Sequence, residues 1–227
     1  MADLHPIAEA TDHDASRKVL LTGFDAFGGA ALNPSWLAVS SLHGRQVLGH
    51  TLVAAQLPTV FDASLQTLNS LLKQHRPAVV ICVGQAGGRR AISLERVAIN
   101  VNDAPISDNA GAQPVDTPVR AGAPVAYFTG LPIKAMLAAL QREGIAAEVS
   151  QTAGTFVCNH VFYGLMHALA TDPLLRHTRG GFVHVPWLPV QGTPHMALDD
   201  IVSGLRQVVR CALQVQHDHL LGAGASH

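Results

Sequence analysis

Nothing in this chain approaches the roughly 18 consecutive apolar residues that a membrane-spanning helix needs. There is no surplus of charge either. Fifteen basic and 16 acidic side chains leave a net charge of −1, so the chain lacks the electrostatic footprint of a protein that binds nucleic acid or an anionic membrane. Three cysteines, Cys82, Cys158 and Cys211, form an odd and sparse set. That argues against a disulfide scaffold and for a reducing compartment. The glycines of Gly84-Gln-Ala-Gly-Gly88 lack the spacing of a phosphate or dinucleotide loop. No metal site is expected: His160 and His167 have no companions at zinc-site spacing, and His217 and His219 lie too near the end. Residues 1–16 lack a basic start followed by an apolar stretch, so they read as a flexible leader rather than a signal peptide. Repeats and low-complexity segments are absent.

What is present suits one α/β domain over residues 17–215, followed by a frayed tail over 216–227. The 227 residues are 48% hydrophobic and only 14% charged, enough apolar side chain for a sizeable core and too little charge for a disordered chain. Low charge also points weakly to self-association. Short apolar runs at 18–22, 46–57, 77–84, 92–101, 144–150 and 180–185 read as strands. Helical spacing covers 33–42, 60–75, 131–143, 156–170 and 196–215, with Asn33 and Pro34 placed as a cap and first-turn proline. Residues 102–122, rich in Pro, Gly, Asn and Asp, read as a long ordered loop. Strands alternating with helices predict a twisted, mostly parallel sheet with helices on both faces, an α/β/α sandwich. Its crevice lies at the carboxyl ends of the strands, which makes the loops at 23–33, 85–90, 152–158 and 184–189 the ones to inspect.

The stretch Ser150-Gln-Thr-Ala-Gly-Thr-Phe-Val-Cys-Asn-His160 joins a strand to a helix and puts Cys158 in the first helical turn. Unpaired N–H groups and the helix dipole there ease ionisation of a thiol; the bland alternative is a small buried hydrophobe. His184, inside the apolar run Phe182-Val-His-Val185, is costly to bury unpaired. It reads either as a base for Cys158 or as a core histidine bonded to a carbonyl. Glu95 can orient such a histidine, or it can pair with Arg96 or sit on a solvated edge.

Six blocks in this order closely resemble pyroglutamyl-peptidase I (pyrrolidone-carboxylate peptidase), a family of intracellular cysteine peptidases. They are Gly23-Phe-Asp-Ala-Phe-Gly-Gly29 with Asn33-Pro-Ser35; Gly84-Gln-Ala-Gly-Gly-Arg89; Glu95-Arg-Val-Ala-Ile-Asn100; Asp108-Asn-Ala-Gly111 with Gln113-Pro114; Thr152-Ala-Gly-Thr-Phe-Val-Cys-Asn-His160; and His184-Val-Pro186. The resemblance spans about residues 17–212. It implies a cofactor-free, cytoplasmic hydrolase that removes an N-terminal pyroglutamyl (5-oxoproline) residue from peptides through a thioester. Cys158 would be the nucleophile, His184 the general base and acid, and Glu95 the orienting carboxylate. Phe24 and Phe27 would sandwich the lactam ring, Ile106 and Val157 would line its pocket, and Asn33 and Gln85, or backbone near them, would bond its C=O and N–H. A homotetramer is implied as well. One departure is Pro105, where family members commonly carry arginine; Arg89 and Arg90 are the candidates to compensate for it. Two rivals remain at this point: a nucleoside-phosphorylase-like enzyme, which needs more basic residues than Arg89 and Arg90 for phosphate, and a non-catalytic binder of pyroglutamyl peptides.

Overall fold

The computed structural model describes residues 17–224. The leader expected over 1–16 lies outside these residues, as do 225–227 of the tail. The elements in chain order are β1 (Lys18–Phe24), α1 (Pro34–Ser40), β2 (Gln46–Val47), β3 (His50–Leu57), α2 (Phe61–His75), β4 (Val79–Gln85), β5 (Ile92–Glu95), β6 (Val97–Ile99), β7 (Ala126–Phe128), α3 (Ile133–Arg142), β8 (Ala147–Ser150), α4 (Val157–Thr171), β9 (Arg179–Val185) and α5 (Leu198–Gln214). Seven strands form one sheet in the order β2-β3-β1-β4-β9-β5-β8. Pairing is parallel except at β2–β3 and β5–β9.

Alternation along the strands sends side chains to two cores. Val19, Leu21, Ile81 and Val183 face α1, α3 and α5. Leu20, Val80, Cys82 and Phe182 face α2 and α4. Burial on both sides is why these strands read as unbroken apolar runs. Among the described residues, no helix is long and apolar enough to cross a membrane.

Local signals set some helix starts and distant residues set others. Asn33 Oδ1 accepts from Ser35 N–H at 3.0 Å ahead of Pro34, as its position implies. By contrast, α2 and α3 have no side-chain cap of their own. Asp108, in the long loop, accepts from Phe61 N–H at 3.0 Å. Asp218 accepts from Ala135 N–H at 2.9 Å and from Lys134 N–H. The tail expected to fray is therefore anchored at points as far as Ala223, with Lys134 Nζ donating to Leu221 O and Ala223 packed on the core.

Two strand assignments also change. The run at 46–57 is a hairpin, turned through Leu48 (φ 49°) and Gly49 (φ 75°). The run at 92–101 breaks at Arg96: β5 stays in the main sheet, while β6 leaves it to pair with β7, a strand the periodicity did not reveal.

Candidate active site

The carboxyl ends of β4, β9 and β5 meet the start of α4. Gly84 on β4 pairs in parallel with His184 on β9. Both alternate with residues of the α2/α4-side core, so both face α4. Cys158 is the second residue of α4, and a Cβ added at Gly84 would lie 2.8 Å from its sulfur. The sulfur thus rests on bare backbone of β4, on the strand position paired with His184. Glycine is required there because any side chain would take the sulfur's place.

Glu95 ends β5. Ser93 pairs with His184 across the antiparallel β5–β9 ladder, so Glu95, two residues on, shares that face. Its Oε1 lies 2.7 Å from His184 Nδ1 and 2.6 Å from Arg89 Nη1. A carboxylate only accepts, so Nδ1 carries the proton and Nε2 keeps its lone pair free on the other side of the ring. Glu95 is fully buried and His184 nearly so; pairing with Arg89 is what makes a buried carboxylate tolerable. Arg89 further donates to Thr152 O at 3.1 Å and Ser150 Oγ at 3.4 Å, tying the loop before Cys158 to the same carboxylate. The partner of Glu95 is thus Arg89 and not its sequence neighbour Arg96. Glu95 Oε2 is buried without a partner.

The thiol departs from expectation. Cys158 as a residue is half-buried, but desolvation of the sulfur, reinforced by the Glu95 charge and opposed by Arg89, pushes its pKa up to about 12. Desolvation favours the neutral thiol, so a base is needed to ionise it.

The long loop is fastened to the Cys158 segment. Asp103 N–H donates to Thr155 O at 2.9 Å, and Thr155 Oγ1 donates to Asp103 O at 2.7 Å. His160 Nδ1 lies 3.0 Å from Asn102 Oδ1, with its ring edge-on to Phe61. Burial holds His160 down at about 4. Asp108 is drawn by burial upward, yet its bonds from Phe61, Ala112 and Ala110 N–H hold it below the usual carboxylate value. These bonds flank Pro105, so the loop is ordered from both sides of that residue.

Gln85, the residue after Gly84, borders a cavity of about 540 Å³ that Cys158, His184 and Glu95 do not themselves line. Phe27, Gln85 and Ile106 line it, together with Leu32, Gly87, Trp187, Val190 and Gln191, which sequence reasoning did not single out. Phe24, Val157 and Asn33 do not line it. Phe24 packs on Phe182 with ring centroids 6.3 Å apart, and Val157 is fully buried. The Asn33 side chain is occupied in holding its own loop: Oδ1 accepts from Ser35 N–H and Oγ, and Nδ2 donates to Asp25 O. Trp187 had a readable signal, since it lies three residues beyond His184 at the mouth of the crevice. Among the described residues, no three His, Cys, Asp or Glu side chains gather as metal ligands.

A family model described as pyroglutamyl peptidase matches residues 17–215. The chain is 55% identical over 214 residues to pyrrolidone-carboxylate peptidase 1 of Ralstonia nicotianae, covering 92% of this chain and 99% of the relative. It is 50% identical over 216 residues to the pyrrolidone-carboxylate peptidase of Bacillus cytotoxicus, covering 93% and 100%. Among solved structures, pyroglutamyl peptidase I from Bacillus amyloliquefaciens superposes with a TM-score of 0.89 at 49% identity, covering 91% of this chain and 100% of that one. A mutant pyrrolidone carboxyl peptidase from Pyrococcus furiosus gives 0.83 at 36% identity, covering 87% and 98%.

Proposed function

This chain belongs to the pyroglutamyl peptidase family, a family of cysteine peptidases, and on that premise we propose that it hydrolyses the bond after an N-terminal pyroglutamyl residue through Cys158, His184 and Glu95. The observation that carries the reading is the buried relay: Arg89 and His184 share Glu95 Oε1 at 2.6 and 2.7 Å, and Cys158 sulfur sits on Gly84, the strand partner of His184.

His184 Nε2 takes the thiol proton as the sulfur attacks the pyroglutamyl carbonyl. A thiol raised to about 12 by burial makes this coupled transfer necessary. The oxyanion is met by backbone N–H groups at the start of α4, including that of Cys158. The first intrahelical bond runs from His160 N–H to Phe156 O, so the preceding N–H groups have no partner within the helix. The imidazolium, steadied by Glu95, gives its proton to the leaving amine as the C–N bond breaks and a thioester remains. Water, deprotonated by the same His184, hydrolyses the thioester and releases 5-oxoproline and the thiol.

Phe27 and Ile106 supply apolar contact to the neutral lactam and Gln85 a hydrogen-bonding amide. Asn33, through Asp25 O, holds the loop that carries Phe27, while Phe24 and Val157 pack in the core. Arg89 holds Glu95 and the Thr152 carbonyl in place. The proposed setting is the reducing cytoplasm, supported by three free cysteines, and the proposed assembly is a homotetramer. The test is release of aminomethylcoumarin from its pyroglutamyl amide by purified protein. Release that disappears in Cys158→Ala is expected; no release, or undiminished release by the variant, overturns the reading.

A further inference from the structure

A five-membered lactam fills only part of a cavity of about 540 Å³, a volume in the range that encloses drug-sized ligands. Its lining comes from two parts of the chain. Phe27, Gln85 and Ile106 come from the elements proposed to hold the lactam. Trp187, Val190 and Gln191 come from the segment that directly follows β9, the strand bearing His184. If His184 delivers a proton to the leaving nitrogen, the residue carried by that nitrogen lies beside His184 and the chain just beyond it.

That wall is built in advance. The indole of Trp187 lies against two glycines: a Cβ at Gly87 would come within 2.4 Å of Trp187 Cε2, and one at Gly192 within 3.3 Å of Cε3. Trp187 O accepts from Met196 N–H at 2.9 Å, which fixes the backbone behind the ring. Gln191 Oε1 accepts from Leu188 N–H at 2.9 Å, and Gln191 Nε2 donates to Gln85 Oε1 at 2.9 Å, joining the two parts of the lining through one amide pair. Among the described residues, none that lines the cavity is charged. A rigid aromatic wall with an exposed valine at its rim suits an apolar side chain and offers nothing to a charged or small polar one.

We propose that the Trp187–Val190 side of this cavity binds the side chain of the residue following pyroglutamate and selects for apolar and aromatic residues there. The proposal rests on the peptidase reading above and names the part of the substrate that reading leaves open.

The test compares kcat/KM for two tripeptides, pyroglutamyl-Phe-Gly and pyroglutamyl-Ser-Gly. The wild type is expected to favour the first by about 10-fold, the scale of a hydrophobic pocket's discrimination. Trp187→Ala brings the ratio close to 1. Val190→Ser, at a position 78% exposed and therefore safe for folding, lowers it by about 2- to 3-fold. A wild-type ratio near 1 with both peptides cleaved overturns this subsite and leaves the peptidase reading standing. A preference that survives unchanged in Val190→Ser and in folded Trp187→Ala overturns its assignment to this cavity. Cleavage of neither peptide overturns the peptidase reading itself.

Discussion

Replacing Glu95 by glutamine separates charge from shape at the buried relay. Glutamine fills the same space, so the fold around β5 is kept, but the charge that His184 and Arg89 share at 2.7 and 2.6 Å is gone. Two losses follow. A charge-assisted hydrogen bond to the imidazolium of the transition state, about 1.5–3 kcal/mol, disappears; at 1.36 kcal/mol per decade this alone slows turnover by about 10- to 150-fold. The amide can also turn its NH₂ toward His184 Nδ1, which moves the ring proton to Nε2 and removes the lone pair needed by the sulfur. Arg89 favours that outcome, because as a pure donor it takes the amide oxygen for itself. The expected fall in kcat for Glu95→Gln is therefore about 10²- to 10⁴-fold, with KM changed much less, since Glu95 does not line the substrate cavity. The assay is coumarin release under saturating substrate at pH 7, with thermal melting to verify the fold. A folded variant that keeps more than about a third of wild-type kcat refutes the orienting role, because even the weaker of the two losses exceeds that.

Other consequences can be measured directly. Gly84→Ala places a methyl 2.8 Å from Cys158 sulfur and 2.9 Å from Phe182 Cζ; a kcat loss of at least about 100-fold and a stability loss of about 1–3 kcal/mol are expected by activity assay and urea unfolding. His160 is held from 6.5 to about 4, so the unfolded chain binds a proton there that the folded chain refuses. Its stabilisation is complete above pH 6.5 and falls as pH drops toward 4, by about 3 kcal/mol in all; urea midpoints across this range should show the decline, and His160→Gln should flatten it. Asp218→Ala uncaps α3, with an expected loss of about 1 kcal/mol and about 2–4 °C in melting temperature by calorimetry.

Much of this architecture was legible where the cause is local. Asn33 and Pro34 announce α1, and the apolar run at 77–84 announces a strand covered on both faces as β4. The start of α4 falls one residue from its expected place, which puts Cys158 in the first turn. What was not legible depends on partners far along the chain. Glu95 meets Arg89 rather than Arg96 because the loop after β4 folds back over the end of β5. The caps of α2 and α3 come from Asp108 and Asp218, 47 and 83 positions away from the N–H groups they accept. The state of Cys158 follows the same rule: position in a helix can be read from sequence, whereas burial of the sulfur and the nearby Glu95 charge need three dimensions.

The place of β9 in the sheet has a temporal meaning. It is made last of the strands yet stands between β4 and β5, joining a four-stranded half, β2-β3-β1-β4, to a two-stranded one, β5-β8. A nascent chain that has emerged only as far as residue 178 therefore carries two half-sheets with open inner edges, each able to recruit a stray strand. Those open edges persist until β9, the strand that bears His184, has been made. On the proposed mechanism, the strand that completes the sheet is also the one that delivers the imidazole.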